Sequence, residues 1–233
     1  MPSNWSKGFT KETHPSVAKI SKTMKRKKLD NFLQWREKMK KAGKIKSHYP
    51  SFKKNGDLAE IIGVVLGDGH IGKFPRTESL RIIGNFNNQG FIRRYADLME
   101  KLFQKKPHVA KKKCSNATTI TIYEKKISKR LGIATGKRKD KIISVPRWIS
   151  KNRNNLTRYL RGLYEAEGCH CIHKPTSTYK FIFSNRNKSM LSNVHRLTSN
   201  MGFHPHTSGY QVQISRKKEV EEIRKLLQFR HYV

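Results

Sequence analysis

The sequence predicts an α+β protein: two pseudo-symmetric αββαββα halves packed through one short apolar helix from each, preceded by a basic helical extension. A repeat predicts the two halves. "IIGVVLGDG" from Ile61 and "LRGLYEAEG", which carries Leu160, align at a constant offset of 99 residues, matching Gly63 with Gly162, Gly67 with Ala166, Asp68 with Glu167 and Gly69 with Gly168. The small residues predict the packing. They recur one helical turn apart on one face, where missing side chains let two backbones approach closely.

The elements follow in chain order. Residues 1–55 carry 16 Lys or Arg against 3 acids, with Val17, Ile20 and Met24, then Leu29, Leu33, Trp35 and Met39, at helical spacings. They read as short basic helices on an N-terminal arm. Residues 56–132 form the first half and 156–233 the second. Beyond the apolar helices, "LRIIGNFNN" from Leu80 falls on "YKFIFSNRN" from Tyr179, and Asn88 and Asn187 are N-caps of the next helices. Phe91, Tyr95, Leu98 and Leu102 of the first then match Met190, Val194, Leu197 and Met201 of the second. The last strands align at a new offset, Ile120 and Ile122 with Val212 and Ile214, because the loop around "KKKCSNA" is longer than that around "HPHTSG". Residues 133–155 connect the halves, with "VPRWI" a helical turn at Pro146.

Alternation assigns the faces of the strands. Leu80, Ile82 and Gly84 oppose Arg81, Ile83 and Asn85; Tyr179, Phe181 and Phe183 oppose Lys180, Ile182 and Ser184. Ile120 and Ile122 face the core, with Thr119, Thr121, Tyr123 and Lys125 outward; Val212 and Ile214 oppose Gln211, Gln213, Ser215 and Lys217.

Composition narrows the partner. Of 233 residues, 51 are Lys or Arg and 16 are acids, a net charge of +35 that points to a polyanion. Three cysteines make no disulfide framework, so a reducing, intracellular compartment is expected. No apolar run approaches the roughly 20 residues that cross a bilayer, and no secretory signal opens the chain, so no membrane role is expected. There is no phosphate-cradling glycine loop, and "CHCIH" at 169–173 lacks a second ligand pair for zinc.

Asp68 and Glu167 would therefore lie at adjoining C-terminal helix ends. There the macrodipole and the second carboxylate both disfavour negative charge. A cation belongs between them, and Mg²⁺, which takes one or two carboxylates plus water and phosphate oxygens, suits the position.

These two segments resemble the motifs of the LAGLIDADG homing endonucleases, in the single-chain form with two motifs. The resemblance covers residues 56 to about 230. It implies a monomer whose motif helices form the central interface and whose curved sheets enter the major groove of double-stranded DNA. It implies that Asp68 and Glu167, with the adjoining Gly67 and Ala166, hold the divalent metal for cutting both strands. Glu in the second motif departs from the family's Asp and reaches one methylene further. "GFTKETHPSVAKISKTMK" is similar to DNA-binding modules of some intron-encoded endonucleases.

The expected chemistry is in-line attack of water on phosphorus with departure of the 3′ oxygen. The resemblance adds a basic residue and a polar residue from the sheet at each site. By position these are Lys125 and Lys217, with Asn85 and Ser184. Outward residues that can read bases or hold phosphates are Arg81, Ile83, Asn85, Thr119, Thr121, Tyr123, Lys180, Ser184, Gln211, Gln213 and Ser215, joined by His70, Lys73 and His170. Two other readings stand beside cleavage: an RNA-splicing maturase that binds intron RNA, and a DNA-binding protein without catalysis. Retention of both acids favours the nuclease.

Overall fold

A computed structural model describes residues 6–30 and 32–232. The chain forms two compact units, residues 1–49 and 50–233. Among the described residues no helix is long and apolar enough to cross a membrane.

The first unit holds α1 (Pro15–Arg26) and α2 (Leu33–Lys41). His14 caps α1 by accepting the Ser16 N–H, and Pro15 opens it with a fixed φ suited to the first turn. Leu29, expected within the second helix, lies between the two, with Ile20 and Trp35 47% and 54% exposed. Neither helix buries a residue.

The second unit contains the repeat. Its first half runs α3 (Gly56–Gly67), β1 (Gly69–Lys73), β2 (Glu78–Asn85), α4 (Gln89–Phe103), β3 (His108–Lys111), β4 (Ala117–Glu124) and α5 (Ile127–Leu131). After the short α6 (Arg147–Ser150), the second runs α7 (Arg153–Glu167), β5 (Gly168–His173), β6 (Thr178–Ser184), α8 (Lys188–Asn200), β7 (His206–Ser208), β8 (Gln211–Ile214) and α9 (Lys217–Leu226). Both sheets are antiparallel, ordered β1-β2-β4-β3 and β5-β6-β8-β7. The αββαββα reading of each half holds.

Local chemistry starts α4 and α8 at the expected asparagines and starts α3 and α7 in the same way, α7 already at Arg153. Asn55, Asn88, Asn152 and Asn187 each accept the N–H three residues on, satisfying donors that the first turn leaves free. The inner face of each sheet is apolar: Leu80, Ile82 and Ile120, and Phe181, Phe183, Val212 and Ile214, are fully buried. Tyr164 of α7 stacks on Phe181 at a centroid distance of 4.4 Å.

The largest contact between elements is α3 against α7. A Cβ on Gly63 would overlap the Tyr159 carbonyl, and one on Gly162 would overlap that of Glu60, so the backbones themselves touch. At the start of this seam Glu60 is 0% exposed. Arg94 grips it with two bonds of 2.6 and 2.9 Å, Arg158 adds a third, and Arg161 lies 3.7 Å away. A buried carboxylate is tolerated only with such complete pairing. Here it ties α3 to both α4 and α7.

Candidate active site

The parallel alignment of α3 and α7 brings their C-terminal ends together. Asp68 is the C-cap of α3 and Glu167 the last residue of α7. A Cβ on Gly67 would lie 2.5 Å from the Ala166 Cβ and 3.0 Å from the Glu167 Cγ, so the second acid starts against the first helix. Asp68 keeps access to solvent, yet the protein crowded around it and then the Glu167 charge push its carboxyl up to about 7. Burial also raises Glu167, partly offset by the Asn185 side-chain amide, which donates to it at 3.2 Å. Among the described residues no ion pair reaches either acid.

Asp68 opens into a cleft of about 430 Å³, lined also by Ile83, Asn85, Ala166, Glu165 and Arg230. Asn85, at the end of β2, lines the same cleft as Asp68. Its oxygen accepts the Asn87 N–H, which fixes the turn into α4. No group of three or more His, Cys, Asp or Glu gathers among the described residues. Two carboxylates with neighbouring carbonyls are instead the hard-oxygen set that leaves room for water and phosphate on a divalent cation. The residues fit such an ion.

No family model and no curated protein matches the chain. Solved structures do match. The homing endonuclease I-DmoI in complex with DNA and Ca is 18% identical over 75% of this chain and 90% of its own, with a TM-score of 0.53. The N-terminal LAGLIDADG domain of DUF199/WhiA is 13% identical over 77% and 86%, at 0.53. The I-LtrWI LAGLIDADG homing endonuclease bound to target DNA is 12% identical over 78% and 86%, at 0.51. The chain has the LAGLIDADG fold.

Strand register assigns the face of each sheet that lies away from the helices. In the first half Arg81 pairs with His70 and Thr121, Ile83 with Thr119, Asn85 with Ala117, and Ser79 with Tyr123. In the second, Lys180 pairs with Cys171, Ile182 with Cys169 and Gln213, and Ser184 with Gln211. Thr121 and Gln213 lie on this face but are closed over by neighbours, Gln213 donating to Gln211 at 2.7 Å.

Several residues fall elsewhere than the sequence suggests. His170 pairs with Phe181 and Lys73 with Glu78, so both belong to the inner row of their edge strands. β4 ends at Glu124, leaving Lys125 in the following turn. β8 ends at Ile214; Ser215 lies beyond it, and Lys217 opens α9 with its ammonium over the Tyr179 ring. Neither lysine extends a strand's alternation. Ser184 stays in the outer row opposite Gln211, and Asn185, one residue further, is the group bonded to Glu167.

The LAGLIDADG sheets also expose residues that sequence reasoning missed. Cys169, Cys171, His206 and Ser208 join the outer rows of the second sheet, and His108 that of the first. The alternation of "CHCIH" carried a signal for the cysteines: it puts Cys169 and Cys171 on one side and His170 on the other, as observed.

Proposed function

We propose that this protein is a site-specific double-strand DNA endonuclease that depends on a divalent metal, Mg²⁺ being the physiological choice, and works as a monomer with two sites. One observation carries the reading. Asp68 and Glu167 are held together at two negative helix ends, in positions that raise both carboxyls, with no ion pair reaching them among the described residues. Such an arrangement weakens the free protein and is retained where a cation completes it.

Asp68 and Glu167 would hold the ion with the carbonyls of Gly67 and Ala166. When bound, it would supply Lewis-acid activation and neutralise charge on the phosphate. The chain does the rest. The motif helices fix the acids, the Asn185 amide orients Glu167, and Asn85 lies beside Asp68 to order water. Water oxygen bonds to phosphorus as the bond to the 3′ oxygen breaks, leaving a 5′ phosphate and a 3′ hydroxyl. The outer sheet rows offer Arg81, Lys180 and Gln211 to a major groove, and the net charge of +35 suits the phosphates. That no ion pair reaches either acid among the described residues favours this reading over an RNA maturase.

The test is cleavage of a plasmid library carrying randomised inserts and candidate intron-insertion junctions, in Mg²⁺ and in Ca²⁺. Linear product at one sequence, reduced to nicking or nothing by Asp68→Asn and by Glu167→Gln, is expected. Tight specific binding without cutting in any metal would sink the nuclease and leave a binding protein or maturase.

A further inference from the structure

Two arginines outside the sheets occupy matching places. Arg138 follows α5, and its Nη2 donates to the carbonyls of Val65 at 2.8 Å and Gly69 at 2.5 Å. Arg230 follows α9, and its Nη2 donates to the Gly168 carbonyl at 3.4 Å. Gly69 and Gly168 are repeat-matched and directly follow Asp68 and Glu167. Each arginine therefore reaches the peptide just beyond its own half's acid, Arg138 through two short bonds and the exposed Arg230, which also lines the cleft at Asp68, through one long bond. At α3 it also occupies a carbonyl of the last turn, where positive charge complements the helix dipole.

The segments bearing them match as well, because each seats on the other half. The amide of Asn187, the N-cap of α8, donates to the carbonyls of Arg138 and Lys141 at 2.8 Å each. At the other end of the unit, the amide of Asn88, the N-cap of α4, meets the Tyr232 hydroxyl at 3.4 Å. Tyr232 and the Arg230 N–H both donate to Glu165 of α7. One arrangement thus occurs twice. The chain leaving each half crosses to the opposite cap asparagine and sends an arginine back to its own motif.

A purely structural strap would not choose this side chain. Nε and Nη1 of Arg138 are buried without a hydrogen-bond partner among the described residues. Such donors are costly, and an apolar side chain of similar size would fill the space better.

We propose that Arg138 and Arg230 are positioning residues, one for each half, that fix the peptide after Asp68 and Glu167 and so set each carboxylate for cleavage of its strand. The inference rests on the nuclease reading for its purpose, though not for the clamp itself. Arg138→Gln then slows cutting of one strand by about 10- to 100-fold and Arg230→Gln that of the other, so nicked intermediates of opposite strand accumulate. Arg138→Lys, which keeps charge and a donor, restores most of the rate. Equal slowing of both strands by each variant would overturn the proposal.

Amide exchange of the metal-free protein supplies a readout independent of activity. Arg138→Gln is expected to raise exchange around residues 65–72 only, and Arg230→Gln around 164–171 only. Unchanged or uniformly raised exchange would equally overturn the clamp. A wild type that never cuts DNA would remove the nuclease reading, while exchange still decides whether the arginines hold these peptides.

Discussion

Asn185 donates to Glu167 across 3.2 Å while its oxygen accepts the Asn187 N–H, whereas Asn85, in the cleft beside Asp68, closes the same turn with its oxygen but makes no bond to the acid among the described residues. The two acids differ in support as well as in length. Removing the amide in Asn185→Ala raises the Glu167 carboxyl further and frees its orientation. Cleavage of one strand is expected to slow about tenfold, with the other unchanged, as befits one hydrogen bond to a charged group. Strand-resolved kinetics on a doubly labelled duplex would check it; equal slowing of both strands would contradict it.

Asp68 gives a pH signature in the metal-free protein. Its folded value of about 7 lies above the ordinary carboxylate value near 3.9. The folded chain therefore holds this proton more tightly than the unfolded chain, and Asp68 costs stability progressively as pH rises through that window. Asp68→Asn should melt above wild type at pH 8, with the gap closing toward pH 4. Thermal unfolding in chelator at several pH values measures this.

Glu60 is expected to be the most costly acid to alter. Glu60→Gln leaves Arg94, Arg158 and Arg161 around a neutral group, and losing one side of a buried ion cluster costs about 3–5 kcal/mol. Arg94→Met should cost less, because Arg158 still bonds the carboxylate. Denaturant titration would rank them.

Gly162→Val places methyl groups where the Glu60 carbonyl already lies. Overpacking costs about 1–3 kcal/mol in ordinary cores, and at a backbone-to-backbone contact the upper end or failure to fold is expected. An exposed control, Gly209→Ala, at a turn with positive φ, should lose much less by the same titration.

Arg81 lies mid-face, between His70 and Thr121. Arg81→Met should flatten preference at one base pair by about 1–3 kcal/mol while leaving the other positions alone. Binding to single-base variants of the target at fixed salt decides it. Uniform weakening would mark a phosphate contact instead.

The repeat and the caps of α4 and α8 were legible because they are local: a 99-residue offset, Asn88 and Asn187 are written in the chain itself. Central strands were legible too, since alternation in β2, β4, β6 and β8 follows burial on one side. Edge positions were harder. Lys73 and His170 owe their faces to hairpin register, where one residue of slip exchanges inside for outside. Lys125 and Lys217 depend on where a strand stops, which β4 and β8 do before reaching them. Asn185, Arg138 and Arg230 act through contacts between segments distant in sequence, and no local period announces those.

The backbone contact at Gly63 and Gly162 has a consequence for how the molecule could come apart. The join between the repeats is closer-packed than an ordinary side-chain interface, and the first repeat's Glu60 is neutralised partly by Arg158 and Arg161 of the second. Cut within residues 133–152, the chain would yield two pieces that each expose a glycine stripe and strand an unmatched charge. They would have to be born together to fold, so this seam is where the protein is least divisible, although its sequence looks most like two copies of one thing.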